Sequence, residues 1–369
     1  MSKNIRELPF TELVEREAEI ARLTSSNDRS RLRGATNEAY MFKIPPKEDW
    51  SFLVATTVLT TEKEIRTGTV SINTGATATT FSSDVVLDAD DTGKKIYFTG
   101  NAFVYDFTYA NATGGTVSPP LTGNQNLTNA SYVLFQDRYA LPPDFDRFLR
   151  NGGLILYQGG RRVLIPEEHR QRFHEEMVPT PGVPVTCRLV EKNTAGIQLV
   201  ELRPSTREET PIAVEYIRRL RPMRETTAGV ATISASGTSV TGQSGSRFTE
   251  AVTGFYFRVD AFGQGADSEW YRVRAVTHDS ALTLGIAFGL SGATSAAYTL
   301  CSAPEIPEKV QPAILYAAVA EVLQDQNDPL YAMAESRLGA IISDARNDYA
   351  TRVYAQEVET VAEEWQYRR

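Results

Sequence analysis

Apolar residues recur at helical spacing at both ends of the chain. The predicted helical faces are, in chain order, Leu13, Ile20 and Leu23; Leu32, Ala35, Ala39 and Phe42; Val310, Ile314, Ala318 and Val322; and Met333, Leu338 and Ile342. This spacing predicts two helices within residues 1–50, the second ended by Pro45 and Pro46, and two more after residue 303. Thr11 is the expected N-cap of the first helix, in which Glu12 and Arg16 pair one turn apart.

Two stretches, residues 51–140 and 226–303, have a different pattern, with short alternating runs rich in Thr, Val, Gly and Ser between turn clusters. This pattern predicts short strands joined by turns. The two stretches also match each other in order: 68–72 with 229–233, Phe81 with Phe248, 92–98 with 253–259, 105–109 with 271–275, and 129–132 with 294–299. We interpret them as two copies of one all-β module.

The middle of the chain, residues 141–225, mixes both patterns. Residues 154–157 and 163–165 predict a hairpin, and further strands are predicted near 184–191, 196–203 and 210–218. Pro166 is the expected first residue of a helix that runs to Met177. The predicted fold class is α+β. One discontinuous body of residues 1–50, 141–225 and 304–369 carries two inserted, duplicated all-β modules, 51–140 and 226–303.

Composition and charge argue against two classes of protein, those that coat nucleic acid and those that span a membrane. The 369 residues are 41% hydrophobic and include 38 Lys and Arg against 46 Asp and Glu, which gives a net charge of −8. A protein that coats nucleic acid needs cationic contacts to phosphate, so this balance argues against that class. No apolar run approaches the ~18 residues of a membrane-spanning helix, and the charged N-terminus predicts no secretory signal. We therefore expect synthesis in the cytoplasm and no membrane partner.

Candidate catalytic and metal-binding groups form no recognised pattern. The acidic run 88–93 lacks the twelfth-position Glu of a calcium loop, because Thr99 stands there, and we interpret it as a turn. His169 and His174 are five residues apart on a predicted helix and point to different sides, and His278 is isolated. Cys187 is interpreted as a small buried hydrophobic residue. We predict no catalytic, metal or cofactor-binding residue and no enzyme activity.

Charged and aromatic residues at the two ends are typical of partner interfaces. The N-terminal helices carry Arg16, Arg22, Arg29, Arg31 and Arg33, and the alternative to a basic interface is an ordinary solvated face. The last residues include Trp365, Tyr367, Arg368 and Arg369. Aromatic residues and Arg are enriched at interface centres, so we expect these four residues to contact a partner. The alternative is a last helix that packs on its own domain.

Five segments follow one another in a characteristic order between the predicted terminal helices. They are Ala-Leu-Pro-Pro-Asp-Phe at 140–145, Val-Leu-Ile-Pro-Glu-Glu at 163–168, Pro-Gly-Val-Pro at 181–184, Ile-Gln-Leu-Val-Glu-Leu-Arg-Pro at 197–204, and Ile-Ala-Val-Glu-Tyr-Ile-Arg-Arg-Leu-Arg-Pro at 212–222. This order resembles the head–tail adaptor proteins of tailed bacteriophages, also called connector or neck proteins. The resemblance covers the chain outside the β modules, and the two large insertions depart from the family's pattern.

That resemblance implies a structural protein of the virion neck rather than an enzyme. Members of the family form a ring, usually of twelve copies, beneath the portal protein. Their C-terminal helices and tail dock on the portal, their loops meet the next neck or tail protein, and DNA passes through the channel. Residues 307–369 are then the portal-facing part, with Trp365, Tyr367, Arg368 and Arg369 as candidate contacts. The β modules are expected to decorate the outside or the distal rim of the ring, and no cofactor is implied.

Two other interpretations stay open. In the first, the β modules bind carbohydrate or a receptor at the virion surface, and Tyr105, Tyr109, Trp270 and Tyr271 are the candidates for stacking on a sugar. In the second, Asp144 and Asp146 are the paired acids of a hydrolase. The run 142–146 is better interpreted as a strand-to-helix corner with an acid at the N-terminus of the new helix.

Overall fold

The computed structural model of the protein describes residues 8–101, 103–123, 125–149, 153–158, 161–168, 181–249, 252–262, 269–324 and 329–349. Contacts between residues group the described chain into two units. One unit contains Val54–Arg218, and the other joins the described residues up to Leu53 with those from Arg219 onward. The fold is mixed α+β, as predicted. Neither unit coincides with the predicted body of 1–50, 141–225 and 304–369, whose existence as one folding domain stays a prediction.

The unit Val54–Arg218 is built from short antiparallel strands. They are β1 Val54–Thr60, β2 Val70–Ile72, β3 Ala78–Phe81, β4 Lys95–Phe98, β5 Val104–Asn111, β6 Gly114–Ser118, β7 Leu127–Ala130, β8 Tyr132–Phe135, β9 Arg138–Ala140, β10 Phe145–Phe148, β11 Gly153–Gln158, β12 Arg161–Pro166, β13 Thr186–Lys192, β14 Gln198–Arg203 and β15 Pro211–Arg218. Three sheets result: β1-β15-β11-β12, in which β10 also pairs with β15; β13-β14-β9; and β7-β2-β3-β6-β5-β4-β8. Side chains of the first two sheets share one apolar core.

The strands predicted within residues 141–225 are confirmed. β11 and β12 form the expected hairpin, with Leu154 opposite Ile165, and β13, β14 and β15 lie where they were predicted. The prediction that a helix begins at Pro166 is wrong, because Pro166 is the last residue of β12 and lies opposite Gly153. A proline is tolerated at such an edge position, where its missing N–H need not serve the ladder. The remainder of that predicted helix, from residue 169 with His169 and His174, lies outside the described residues.

The corner at residues 142–146 leads into a strand, β10, and the prediction of a helix there is wrong. Phe145 and Phe148 are buried with their rings 5.0 Å apart, and the ring of Phe145 lies 5.7 Å from that of Tyr216 on β15. Aromatic side chains pack well on a pleated surface. Their burial against β15 therefore outweighs the helix-start signal of Asp144.

The other unit combines four described helices with a second large sheet. The helices are α1 Phe10–Ile20, α2 Ser26–Glu38, α3 Gln311–Gln324 and α4 Leu330–Tyr349. The strands are β16 Glu225–Thr226, β17 Val230–Ile233, β18 Ser239–Gln243, β19 Tyr256–Val259, β20 Tyr271–His278, β21 Ala281–Leu284, β22 Ala293–Ala296 and β23 Tyr298–Cys301. The predicted face of Val310, Ile314, Ala318 and Val322 is buried, and Glu12 and Arg16 pair at 2.6 Å, as predicted.

Three details of the helices differ from the prediction. Thr11 lies inside α1, whose N-cap is Pro9 without a side-chain cap. Phe42 is 63% exposed because α2 continues into a π-helical turn, Ala39–Lys43, and the wider turn rotates Phe42 off the predicted face. Met333 is 43% exposed, whereas α4 buries Ala334 beside side chains of α3. The small alanine allows close approach of the two helices at that position.

The two large sheets have the same strand order. The order β7-β2-β3-β6-β5-β4-β8 matches β22-β17-β18-β21-β20-β19-β23 position by position. Beyond β8, Ile65 forms an isolated antiparallel bridge to Leu134, and β16 occupies the corresponding place beside β23. The similarity between the two stretches of sequence therefore has a counterpart in the topology of the sheets.

Matching hydrogen bonds close both sheets. The hydroxyl of Tyr132 donates to the carbonyl of Thr67 at 2.8 Å, and that of Tyr298 donates to the carbonyl of Ala228 at 2.6 Å. In both sheets the acceptor residue precedes a glycine with positive φ, +74° in one and +85° in the other. We call Tyr132 and Tyr298 the closing tyrosines. Tyr132 links β8 to the segment that precedes β2, and Tyr298 links β23 to the segment that precedes β17.

The strands β7 and β22 share an irregularity as well. Asn129 and Ser295 both have a positive φ, 50° and 49°. Their backbone N–H groups donate to the hydroxyls of Ser71 and Thr232 at 3.0 and 3.1 Å. A hydroxyl on the neighbouring strand thus satisfies the amide that the register shift leaves without a ladder partner.

Phe81 and Phe248 both lie in the core of their sheets, as their match in the sequence implies, but they do not occupy the same place in the strand ladder. Phe81 lies on β3 opposite Val70, whereas the residue opposite Ala231 on β18 is Gly242. The ring of Phe248 lies over Gly242, where an added Cβ would be 2.9 Å from it. The two rings nevertheless contact the closing tyrosines in the same way, with centroids 5.0 and 5.9 Å apart and the rings edge to face.

Replacement of a closing tyrosine, as Tyr132→Phe or Tyr298→Phe, should lower the free energy of unfolding by about 1 kcal/mol. The ring stays in the core, and only the hydroxyl that satisfies a carbonyl is lost. Urea unfolding followed by circular dichroism measures the change. Tyr157→Phe, at a side chain that is 62% exposed, is the matched control and should leave stability unchanged. A loss at one closing tyrosine and none at the other would contradict the equivalence of the two contacts.

Candidate interaction surfaces

The candidate portal contacts Trp365, Tyr367, Arg368 and Arg369 lie outside the described residues. Their assignment to a partner interface stays a prediction. The surfaces that the structure does describe are the basic N-terminal helices, the aromatic residues of the β-rich sheets and the clusters of buried charge.

The basic surface of the N-terminal helices is smaller than the sequence indicates. Arg16 pairs with Glu12 within α1, and Arg33 on α2 pairs with Glu225 at 2.8 Å. The three remaining arginines, Arg22, Arg29 and Arg31, are exposed, and no ion pair to them is found within the described part of the chain. They lie around the turn between α1 and α2. This turn therefore presents exposed cationic side chains that a partner can reach.

The aromatic residues proposed to stack on a sugar are mostly core residues. Tyr105, Trp270 and Tyr271 are at most 3% exposed, and the half-buried Tyr109 packs against the core of its sheet. The hydroxyls of Tyr105 and Tyr271 accept backbone N–H groups at 3.2 and 3.0 Å. Since a stacking platform must present its face to solvent, the sugar-binding role of Tyr105, Trp270 and Tyr271 is wrong.

Trp270 instead lies beneath a buried guanidinium. The side chain of Arg258 on β19 lies 4.5 Å above the indole ring and bonds both carboxylate oxygens of Glu15 at 3.1 and 3.2 Å. Asp260 is 3.5 Å from the same guanidinium. The sequence analysis missed this cluster, although a single Arg within the apolar run Tyr256–Val259 is its signal. The cluster attaches α1 to the second large sheet.

The candidate hydrolase acids are held in structural contacts. Asp144 accepts a hydrogen bond from the hydroxyl of Tyr216 at 2.9 Å, and Asp146 pairs with the neighbouring Arg147 at 3.3 Å. Burial, reinforced by the bond to Asp144, raises the pKa of Tyr216 to about 12. The hydroxyl is therefore a stable proton donor to Asp144 near neutral pH. These contacts serve the corner between β9 and β10.

The other groups with chemical potential are also engaged or buried. Asp88 accepts from the N–H of Asp90 at 3.0 Å, and Asp91 pairs with Lys94 at 2.7 Å, so the acidic run is a capped turn as interpreted. Burial raises the pKa of the thiols of Cys187 and Cys301 to about 12, so both stay protonated at neutral pH. Within the ranges that the structure describes, no three His, Cys, Asp or Glu side chains are grouped to hold a metal ion.

Arginines surround a buried glutamate on the sheet β13-β14-β9. Glu201 on β14 is 2% exposed and lies in register between Arg188 on β13 and Arg138 on β9. Arg188 approaches its carboxylate to 2.7 Å, Arg203 to 3.2 Å and Arg138 to 3.8 Å. Several arginine donors compensate the charge of one buried carboxylate. Ion pairs therefore connect the three strands on the polar face of this sheet.

Asp137, in the link between β8 and β9, borders this cluster. Burial is the main cause that raises the pKa of its carboxyl to about 6, Lys95 and Arg138 lower it, and Glu201 raises it. One carboxylate oxygen of Asp137 has no hydrogen-bond partner among the described residues. The folded chain thus holds a proton on this group more tightly than the unfolded chain does.

The pKa of Asp137 predicts a pH-dependent loss of stability. Its contribution is fully present below about pH 4 and is lost as the pH rises through about 6. At ~1.4 kcal/mol per pKa unit, the ionised carboxylate costs about 3 kcal/mol at pH 7. Asp137→Asn should therefore be more stable than the wild type at pH 7, and the difference should vanish near pH 4. Urea unfolding across this range measures it, with Asp146→Asn as the surface control, and identical profiles for wild type and Asp137→Asn would contradict the assignment.

No described helix has the length and apolar content that a membrane crossing requires. Neither the scan against protein-family models nor the search of curated proteins finds a match for this chain.

Proposed function

We propose that the chain is a structural protein of the tailed-bacteriophage virion, a head-to-tail adaptor. Copies form a ring, of twelve in the family that it resembles, beneath the portal, join the capsid to the neck and tail proteins, and let DNA pass. Its partners are other copies of itself, the portal protein and the next neck or tail protein, with DNA as passing cargo. The protein resides in the neck of the virion and performs no catalysis.

The observation that carries the proposal is the contact between two of the segments on which the resemblance rests. Asp144 and Phe145 belong to the corner segment, and Tyr216 belongs to the last segment, 72 residues away from Asp144. The carboxylate of Asp144 accepts the hydroxyl of Tyr216, and the rings of Phe145 and Tyr216 are 5.7 Å apart. Two motifs that are separate in sequence thus form one structural joint, as expected for segments that specify a shared body rather than a reaction.

The equal strand order, the closing tyrosines and the matching bulges support a second step of the proposal. We infer that the two β-rich stretches arose by duplication of one module and that both are attachments to the adaptor body. Residues shared by the copies hold the module together. The burial of Tyr105, Trp270 and Tyr271 favours this structural role over carbohydrate binding.

The position of the chain in a cryo-electron microscopy map of the intact particle tests the proposal. We expect a closed ring of this chain between the portal and the tail. Density for the chain in a tail fibre or on the capsid surface would replace the adaptor by the receptor-binding alternative. Absence of the chain from the purified particle would overturn both.

The candidate portal contacts give a prediction at the level of residues. The double variant Trp365→Ala with Tyr367→Ala should enter particles at least ~10-fold less than the wild type, since loss of interface aromatics costs about 2 kcal/mol or more. Quantitative mass spectrometry of purified particles measures the copy number, and circular dichroism verifies that the variant folds. Tyr157→Ala, at an exposed tyrosine of β11, is the matched control. Wild-type incorporation of the double variant would remove these residues from the interface.

A further inference from the structure

The two outer strands of the sheet β1-β15-β11-β12 differ in their protection against pairing with another chain. The outer strand β12 begins with Arg161 and Arg162, and charge on an outer strand discourages pairing with another chain. The other outer strand, β1, reads Val-Ala-Thr-Thr-Val-Leu-Thr over seven residues. It contains no charge and no proline, and its register with β15 is continuous, without a bulge. Three usual protections of an edge strand, namely charge, proline and a bulge, are therefore missing from β1.

The backbone of β1 is available on the side away from β15. The N–H of Thr61 donates to the carbonyl of Thr210 at 3.0 Å, and this bond fixes the alternation of the ladder. Thr57 and Leu59 then direct their backbone groups toward β15, whereas Thr56, Val58 and Thr60 direct theirs outward. Over the described residues, β15 is the one strand that pairs with β1. The side chains of Thr56, Val58 and Thr60 are exposed, and that of Val58 is 61% exposed.

Beside this edge, Val58 is the exposed end of an apolar row on the face of the sheet opposite to Leu59. Val58 is opposite Ala213 on β15, Ala213 is opposite Ile155 on β11, and Ile155 is opposite Leu164 on β12. These residues form an apolar row across all four strands, in which Val58 is exposed and Ile155 is buried. A strand added at β1 extends this row as well as the ladder.

We propose that the free chain dimerises through antiparallel pairing of β1 with β1 of a second copy, about a two-fold axis at Thr57. In this register, Thr56 faces the partner subunit's Val58, and Val54 faces the partner subunit's Thr60. These residues are the ones whose backbone groups point outward, so each facing pair forms ladder hydrogen bonds. Two-fold pairing sets a strand against itself, and a charged strand then repels its copy. The uncharged, β-branched edge of β1 is suited to this partner.

The proposed contact is small for a protein–protein interface. Seven extended residues span about 24 Å, which gives a contact smaller than the standard interface of about 1,600 Å². The dimer is therefore expected to be concentration dependent. Neighbours in a head-to-tail ring are not related by a two-fold axis. The β1 pair is thus a state of the free chain, separate from the contacts of any such ring, and it does not rest on the proposed function.

Sedimentation velocity of the full-length chain over a range of concentrations tests the pairing. We expect a monomer–dimer equilibrium in the wild type. Val58→Pro removes the outward N–H of residue 58 and leaves the ladder to β15 intact, since an outer strand tolerates proline where its N–H faces solvent. Symmetry makes this a loss of two hydrogen bonds per dimer, so the dimer Kd should rise ~30-fold. Val58→Thr keeps the N–H and the β-branched shape and should dimerise as the wild type does.

Hydrogen exchange at low and high concentration supplies the second readout. The amides of Thr56, Val58 and Thr60 should gain protection with concentration, and those of Thr57 and Leu59 should not change. If Val58→Pro loses its circular dichroism spectrum, Val58→Lys replaces it, since it keeps every N–H and sets like charges near the axis. A wild type that is monomeric at every concentration, or one that forms larger rings without a dimer, overturns the proposal. A folded Val58→Pro or Val58→Lys variant that dimerises normally overturns it too.

Discussion

The hydroxyl of a tyrosine on the last strand closes each of the two large sheets, and this bond adds to what the hydrophobic pattern specifies about register. Most strands of these sheets have three to five residues, so the length of a ladder alone specifies register weakly. Tyr132 and Tyr298 bond a carbonyl in the segment just before the second strand, more than sixty residues away. Each bond joins the two ends of the module. The apolar sides of the strands between these ends meet in one core in each module.

Buried charge is the second organising feature, and it acts across elements rather than within them. Arg258 ties β19 to α1 through Glu15, and Glu201 ties β14 to its two neighbours through their arginines. Such clusters add little net stability over apolar residues of the same shape, but breaking one leaves an uncompensated charge. They therefore make one arrangement of the elements much better than its alternatives. In the part of the chain that the structure describes, these carboxylates and guanidiniums bond one another, as is suited to a protein that holds a shape.

Patterns of single elements were predictable, and interactions between distant residues were not. The helical stripe from Val310 to Val322 and the hairpin around Leu154 follow from period alone. Phe42 was placed wrongly because a π-helical turn adds a residue that no propensity scale signals. Asp144 has the pattern of a helix start, but Phe145 packs on Tyr216, whose position is set by another part of the chain. The buried cluster around Arg258 was missed for the same reason, since its members come from three separate segments. The order of motifs on which the family resemblance rests is a property of the sequence and does not depend on whether residues 145–148 are helix or strand.

The sheet β1-β15-β11-β12 has a charged outer strand, β12, and an uncharged one, β1, and this difference bears on how the chain associates. The outer strand β12 carries Arg161 and Arg162, which discourage pairing with another chain, whereas β1 in the same sheet has no charge, no proline and no bulge. A protein that works as a monomer gains nothing from an unguarded edge, which templates aggregation. The open edge is consistent with the proposed pairing of β1 with β1 of a second copy. The proposed pairing with a second copy gives β1 a partner, whereas the carboxylates of Asp144, Asp91 and Glu201 are engaged within the fold, in the corner, the turn and the sheet.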